Sequence, residues 1–334
     1  MRIGVGLDGA LGLHHDVLRD LAVDARALGF ESVWTNAGAT GFDAFHVCAR
    51  WHGVSGLATG ISVVPVANWT APTLAMQAAT VSQVTEGTFI LGIGSNPLIG
   101  PVRATFGIPE VSALAGLREY LVVLRQLLAG ERVTFEGRLV NLRGIALAFR
   151  PPATPVYVAA LGPKTLRLGG ELADGVLPNW ASPEQMAWCR EQIAEGAGKA
   201  GRDPASIPVV QYVRVCVDED VPAARTALAR QVVQYALFPA YRAHFERMGF
   251  TDALAAVERA RAAGADEAKV LADFPDELIR RVGYFGPPAG AAKEFTRLAA
   301  GCDTAVVRVI TTRPDAEKVR VAMRALTPQA IAAA

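Results

Sequence analysis

The sequence predicts an α/β protein whose eight parallel strands, each followed by helical sequence, close into a (β/α)8 TIM barrel. Short apolar runs of strand length alternate along the chain with longer segments of helical spacing. Eight strand candidates favour a closed barrel over an open doubly wound sheet. No Gly-x-Gly-x-x-Gly follows the first strand candidate, which argues against the rival interpretation, a dinucleotide-binding Rossmann sheet.

The predicted strands are short and rich in apolar and β-branched residues. They cover residues 3–7, 32–34, 60–66, 89–93, 156–160, 175–177, 209–217 and 304–310. Runs with few polar residues are typical of parallel sheets, because helices cover their outer face.

The helix candidates repeat apolar residues three and four positions apart. They cover residues 17–28, 43–50, 72–84, 118–128, 165–172, 183–200 and 316–326. Asp43 is a suitable N-cap, and Pro72 suits a first helical turn. Residues 132–143 read as a small hairpin outside the barrel.

A long helical stretch covers residues 221–281, with breaks at Pro239, Gly249 and Gly264. It predicts a helical insertion between strands 7 and 8 of the barrel. The 334 residues are otherwise one domain, because α/β barrels reach this length as single units.

Composition excludes several classes of function. The net charge is +1 with no basic block, so we expect no nucleic-acid partner. No apolar run is long enough for a membrane span, and the N-terminus lacks a signal peptide pattern. The four cysteines lie far apart, which favours small buried hydrophobes over disulfides or metal ligands. We expect a soluble cytoplasmic protein without a metal site.

Three segments, in this order and spacing, resemble the luciferase-like flavin and deazaflavin oxidoreductases. They are TGISVVPV at 59–66, GTFILGIGS at 87–95, and PVYVAALGPKT at 155–165 with GELADG at 170–175. The third resembles the subgroup that binds coenzyme F420, such as the methylenetetrahydromethanopterin reductases. The resemblance implies a bacterial-luciferase-like barrel, a homodimer, a small-molecule substrate and F420 as cofactor, with FMN as the alternative.

The loop after the fifth strand candidate predicts a phosphate site. Ala160 ends the strand, and Gly162, Pro163 and Lys164 precede a helix. A helix start offers free backbone N–H groups and partial positive charge, and both candidate cofactors carry a phosphate on their ribityl chain. The alternative is an ordinary strand-to-helix turn with a surface lysine.

The ends of other strands predict contacts to the cofactor ring. Val63, Val64 and Pro65 close the third strand, and Val64 is the proposed apolar shelf beneath the ring. The resemblance implies a non-proline cis peptide or a bulge here. The alternative is an ordinary strand end in the core.

Polar residues follow the fourth and sixth strand candidates. Gly94 allows close approach, and Ser95 and Asn96 can form hydrogen bonds with ring carbonyls or the hydroxylated chain. Asn179 and Trp180 are further candidates to contact ring or substrate. Ordinary polar turns are the alternative interpretation.

The catalytic half of the site departs from the family pattern. The resembled subgroup often has an acidic residue near the end of strand two, where this chain has WTNAGA at 34–39. Asn36 can form hydrogen bonds but cannot exchange a proton near neutral pH. Asp8, after the first strand, is the candidate proton donor, with His14, His15 and Asp218 as further candidates.

Three functions therefore stay open at this stage. The first is hydride transfer between F420 and a small organic substrate. The second is an FMN-dependent monooxygenase that uses molecular oxygen. The third is a family member that binds a cofactor without turning it over, since the usual acid is absent at Ala37.

Overall fold

The computed structural model describes residues 1–38, 41–95 and 112–334. Within this part of the chain, nine strands form one curled parallel sheet, in the order β10-β9-β11-β1-β2-β3-β4-β7-β8, and two more form an antiparallel hairpin. The strands are β1 (Arg2–Gly6), β2 (Ser32–Thr35), β3 (Ala58–Pro65), β4 (Phe89–Gly94), β5 (Val133–Glu136), β6 (Asn141–Ile145), β7 (Val156–Ala159), β8 (Gly175–Leu177), β9 (Val210–Val217), β10 (Gly283–Gly286) and β11 (Thr304–Val309).

Helices separate most of the strands in sequence. They are α1 (His15–Ala27), α2 (Ala44–Ser55), α3 (Ala71–Val84), α4 (Ala113–Leu128), α5 (Pro163–Leu172), α6 (Pro183–Lys199), α7 (Val221–Ala236), α8 (Pro239–Arg247), α9 (Thr251–Ala262), α10 (Glu267–Asp273), α11 (Asp276–Val282), α12 (Pro288–Leu298), α13 (Ala316–Ala325) and α14 (Pro328–Ala332). Asp43 and Thr70 accept hydrogen bonds from backbone N–H groups as N-caps of α2 and α3.

The sheet curls so that β8 contacts β9. β8 is the last strand in the sheet order, yet two isolated parallel bridges, Val176 with Val209 and Asn179 with Tyr212, connect it to β9. β9 also pairs with β11 along one edge and with β10 at its carboxyl end. The predicted α/β fold with a parallel sheet is therefore confirmed.

The prediction of eight strands missed β10. This strand is four residues long and has glycine at both ends, so it carries little of the β-branched signal used to find the others. The helical stretch is present as α7 to α11, and β10 and α12 stand between it and β11. The predicted hairpin is present as β5 and β6.

Large aromatic side chains fill the interior of the curled sheet. Trp34, Tyr157 and Tyr212 belong to one buried cluster on this face. A Cβ atom on Gly60 would lie 2.4 Å from the Trp34 ring, and one on Gly175 would lie 2.5 Å from the Tyr157 ring. Glycine on the neighbouring strand thus makes room for each ring.

Two further apolar clusters cover the outside of the sheet. One lies between the strands and helices α1 to α6, α12 and α13. The other joins helices α7 to α11 to Trp180, Cys216 and Phe285. All four cysteines are free and buried, and burial raises the pKa of Cys189 to about 12. Among the described residues, no helix combines the length and apolarity that crossing a membrane requires.

Candidate active site

The polar residues singled out in the sequence lie at the carboxyl ends of neighbouring parallel strands. Hydrogen bonds tie these ends together: Leu7 N donates to Trp34 O at 2.8 Å, and Ala37 N donates to Val63 O at 3.3 Å. Pro65 lies opposite Gly94 in the β3–β4 register. In α/β barrels this edge is where active sites form.

Asp8 is engaged in a buried ion pair. Arg308 Nη2, from β11, lies 2.8 Å from Asp8 Oδ1 and 2.7 Å from Oδ2, and the two side chains are 11% and 1% exposed. Asp8 also accepts a hydrogen bond from Ala10 N and so caps a short 3-10 turn. The carboxylate has fixed structural partners, and its role as a proton donor stays a prediction.

Asn36 is exposed at the end of β2 and offers its side chain to solvent. Behind it, Tyr212 crosses the interior from β9 and donates a hydrogen bond to Thr35 O at 3.0 Å. Burial raises the pKa of Tyr212 well above its usual value. The sequence analysis did not identify Tyr212, although a tyrosine within a mainly apolar strand was a usable signal.

The other candidate proton donors also have partners. Asp218, just after β9, accepts hydrogen bonds from Thr312 Oγ1 at 2.9 Å and from Lys318 Nζ. His14 caps α1 through Nδ1, which accepts from Asp16 N. His15 contacts the Asp16 carboxylate at 3.6 Å on the exposed surface.

The end of β3 has the predicted irregularity. The Ser62–Val63 peptide is cis, and the pairing with β4 shifts register between Ile61 and Val64. Val64 is fully buried in the outer apolar cluster, and its role as the shelf stays a prediction. The half-buried Val63 packs against the interior cluster. The register shift accounts for this arrangement, because it changes which side chain faces inward.

Glycines on β4 make room for Val63. A Cβ atom on Gly94 would lie 2.6 Å from Val63 Cγ2. Gly94 therefore has a defined packing role beside the site. Ser95 is half-buried directly after the strand, whereas Asn96 lies outside the described residues.

The start of α5 has the geometry of an anion site. Gly162 is its N-cap residue, no side chain in the described part of the chain caps the helix, and Pro163 occupies the first turn. A Cβ atom on Gly162 would meet none of the described atoms within 4 Å. Lys164 is exposed beside it, and Ala160 is buried behind it. Uncapped N–H groups at a helix start attract anions, so these residues fit a phosphate group.

Asn179, at the end of β8, is held by two residues that the sequence analysis did not assign to the site. Its Nδ2 donates to Tyr241 Oη at 2.6 Å, and its Oδ1 accepts from Arg214 Nη1 at 2.7 Å. Arg214 is 4% exposed, and its guanidinium lies 3.8 Å from the Trp180 ring centroid and 5.2 Å from that of Tyr235. Burial lowers the pKa of Arg214. An arginine within the apolar run 209–217 was the signal for it.

Comparison with known proteins identifies the family. The model of the family described as luciferase-like monooxygenase matches residues 5–304, nearly the whole chain. The chain belongs to this family. The resemblance seen in the three segments is thereby confirmed.

Two methanopterin reductases are similar to this chain. The chain is 32% identical over 243 residues to a 5,10-methylenetetrahydromethanopterin reductase of Archaeoglobus fulgidus. The aligned region covers 72% of each chain. A coenzyme F420 dependent tetrahydromethanopterin reductase of Methanopyrus kandleri superposes with a TM-score of 0.82 at 22% identity, covering 98% of this chain and 99% of the other.

A solved structure with FMN is also similar. The oxygenating constituent of 3,6-diketocamphane monooxygenase from Pseudomonas putida, a type II Baeyer-Villiger monooxygenase in complex with FMN, superposes with a TM-score of 0.69 at 17% identity. It covers 99% of this chain and 98% of that chain. Both structural similarities concern the fold.

Proposed function

We propose that this chain is an oxidoreductase that binds coenzyme F420 and transfers a hydride to or from a small organic substrate. The observation that carries the proposal is the uncapped start of α5, where the half-buried Gly162 has open space at its Cβ position, beside the exposed Lys164. The named activity of the 32% identical reductase supports the choice of a hydride-transferring cofactor.

Each part of the candidate site has a proposed task. Gly162, Pro163 and Lys164 hold the cofactor phosphate, with Ala160 as the buried floor. Val63 supplies the apolar surface under the ring, and Val64 and Pro65 fix its backbone. The bound cofactor supplies the hydride, and the chain supplies orientation and the exclusion of water.

Gly94, Ser95 and Asn96 are proposed to line the polar side of the cofactor. Asn179 has both of its amide atoms occupied by Tyr241 and Arg214, so we propose that it positions the wall of the site and does not bind the ring directly.

Asn36 and Asp8 are the proposed residues for orienting the substrate and for proton transfer. Asn36 can orient a substrate oxygen through hydrogen bonds, but it cannot act as an acid near neutral pH. Asp8 would have to exchange its pairing with Arg308 to take part in proton transfer. We therefore propose a substrate whose reaction requires no protein acid, or one whose proton comes from water.

An FMN-dependent monooxygenase is the second candidate function. The description of the matching family and the FMN-bound structure from Pseudomonas putida favour it. The third is cofactor binding without turnover, favoured by the absence of a titratable group at Asn36 and Ala37.

Parallel titrations of F420 and FMN, followed by tryptophan fluorescence under anaerobic conditions, distinguish the first two candidate functions. Binding of F420 with oxidation of its reduced form by a substrate panel supports the proposal. Tight FMN binding without F420 binding contradicts it, and F420 binding with no turnover across the panel supports the third candidate.

Gly162→Asp tests the phosphate site. The open space at this Cβ position accommodates the carboxylate without a clash, and its charge would oppose the phosphate. We expect affinity for either cofactor to fall at least about a hundredfold with the fold intact. Gly53→Asp, on α2, is the matched control, because its Cβ position is equally open and the charge change is the same.

For the architecture, we propose that all strands of the large sheet except β10 form a (β/α)8 barrel in one domain spanning residues 1–334, with residues 221–281 as its insertion. The β8–β9 bridges support closure. We further propose a homodimer, which light scattering at several protein concentrations would test.

A further inference from the structure

A groove of about 890 Å³ lies on the outside of the sheet, between the start of α6, the end of α8, α11 and the end of α12. Its charged lining residues are Arg247, Arg280, Arg281, Arg297, Glu184 and Glu277. We propose that this groove binds a ligand carrying at least two carboxylate or phosphate groups.

The charge of the groove favours an anion. Four arginines and two glutamates line the groove, and Glu294 pairs with Arg297 at 2.9 Å, so the net charge with this partner included is +1. Arg281 pairs with Glu277 at 2.8 Å. Among the described residues, Arg247 and Arg280 have no carboxylate within ion-pair distance, so two guanidinium groups are left to interact with a ligand.

The arginines are held in place by backbone carbonyls. Arg247 Nη2 donates to Leu161 O at 2.7 Å, Arg281 Nη1 to Met248 O at 2.5 Å, and Arg297 Nη2 to Arg280 O at 2.8 Å. A guanidinium group has five N–H donors, and these bonds use only some of them. The side chains are therefore oriented in advance while donors stay available.

A buried amide in the same groove lacks a partner. Gln185, in the first turn of α6, is 7% exposed, and its Nε2 atom has no hydrogen-bond partner in the described part of the chain. A buried donor without an acceptor costs free energy. Gln185 lines the groove, and a carboxylate or phosphate oxygen that reached its amide would supply the missing acceptor.

Trp188 gives the groove one apolar wall. Arg247 lies over its ring, with the guanidinium carbon 5.1 Å from the centroid. This contact leaves the edge of the Arg247 guanidinium free for oxygen atoms. The groove therefore combines a stacked arginine, free cationic donors and an unpaired amide.

Arg247 also connects the groove to the start of α5. The Leu161 carbonyl that it binds immediately precedes Gly162. The anion can thus come from two sources: an acidic extension of a cofactor whose phosphate lies at Gly162, or a separate free polyanion. The first source rests on the proposed function, and the second does not.

Calorimetric titration with citrate, at low ionic strength, tests the groove itself. We expect wild-type protein to bind citrate, and Arg280→Gln to weaken binding about tenfold. Arg280 is suited to this test because its side chain makes one long hydrogen bond, at 3.4 Å to Phe285 O, and a cation–π contact with the Phe285 ring. Arg280→Lys keeps the charge and should recover part of the affinity.

Two further variants test whether citrate binding depends on the residues of the groove. Gln185→Met should weaken citrate binding while leaving the melting temperature unchanged or higher, because it removes a buried unpaired donor. Arg261→Gln removes the same charge from the exposed face of α9 and should leave citrate affinity unchanged. Absence of citrate binding, or equal affinity in Arg280→Gln and wild type, overturns the proposal.

Cofactor titrations then identify the source of the anion. FMN ends at its phosphate, whereas coenzyme F420 continues beyond it with further carboxylates. If Arg280→Gln weakens F420 binding but not FMN binding, and citrate competes with F420, the groove holds the acidic end of the cofactor. If only citrate binding weakens, the ligand is a separate polyanion.

The same measurements distinguish the two proposals. Citrate binding that depends on Arg280, without F420 binding to wild type, refutes the proposed cofactor and leaves the groove standing. F420 binding that depends on Gly162, without any effect of Arg280→Gln on citrate or F420, refutes the groove and leaves the proposed function standing.

Discussion

Arg308 on β11 and Asp8 after β1 form an ion pair between almost fully buried side chains, 300 residues apart in sequence. The pair links the first and last strands of the chain, which are neighbours in the sheet. Removal of one partner would leave the other charge uncompensated in a region that water hardly reaches.

Asp8→Asn should therefore lower the free energy of unfolding by about 3 kcal/mol, measured by urea denaturation. Asp20→Asn is the control, since Asp20 pairs with Arg19 at 2.6 Å on the surface, where the Arg19 and Asp20 side chains are 33% and 54% exposed. This control should cost much less than Asp8→Asn, because solvent screens the pair. Equal losses in the two variants would show that the buried pair does not stabilise the fold.

Gly94→Ala should lower stability and disturb cofactor binding together. The added Cβ atom would lie 2.6 Å from Val63 Cγ2, which a packed strand cannot absorb without movement. We expect a loss of about 1–3 kcal/mol in unfolding free energy. The double variant Gly94→Ala/Val63→Ala should recover part of this loss, with a coupling of at least about 1 kcal/mol.

Gly53→Ala is the control for this pair. Its Cβ position is open and lies within α2, so alanine should stabilise the protein by up to about 1 kcal/mol. If the two strand substitutions are additive instead, Gly94 does not serve to make room for Val63.

The sequence predicted the fold well because its signal is local. Periodicity of apolar residues separates strands from helices without knowledge of their contacts. β10 was not predicted because two of its four residues are glycine. The curled parallel sheet then follows from alternation of the two element types.

The site was less predictable because its geometry depends on register and distant contacts. The choice between Val63 and Val64 depends on the register shift in β3, which no local pattern reveals. The partners of Asn179 are Arg214 on β9 and Tyr241 on α8, 35 and 62 residues away. In contrast, the helix start at Gly162 was predicted because a glycine and a proline between a strand and a helix are a local feature.

Arg214→Met should destabilise the contact between the sheet and helices α7 and α8. The variant loses the bond to Asn179 Oδ1 and the cation–π contacts with Trp180 and Tyr235. We expect a loss of about 2 kcal/mol in unfolding free energy and a change in the fluorescence of Trp180.

A double-variant cycle tests whether Arg214 acts through Asn179. Asn179→Ala should cost less in the Arg214→Met background than in wild type, because the bond between them is already lost. Arg214→Lys, which keeps the charge but not the planar fork, should recover only part of the stability. Full additivity of Asn179→Ala and Arg214→Met would contradict the coupling.

His244 should make the protein sensitive to acid between pH 6.5 and about 4. It is fully buried on α8, with Nε2 3.2 Å from Trp180 O, and burial lowers its pKa from 6.5 to about 4. Below pH 6.5 the unfolded chain binds a proton here that the folded chain does not. The stability contributed by the neutral His244 is thus fully present above pH 6.5. It decreases as the pH is lowered from 6.5 to about 4, by at most about 1.4 kcal/mol per pH unit.

Urea denaturation of wild type and His244→Gln from pH 7.5 to 4.5 measures this contribution. Because glutamine does not titrate, the variant should lose less stability than wild type as the pH falls, whatever its stability at pH 7.5. If wild type and His244→Gln show the same pH dependence, protonation of His244 does not oppose folding, and the acid sensitivity must come from the carboxylates.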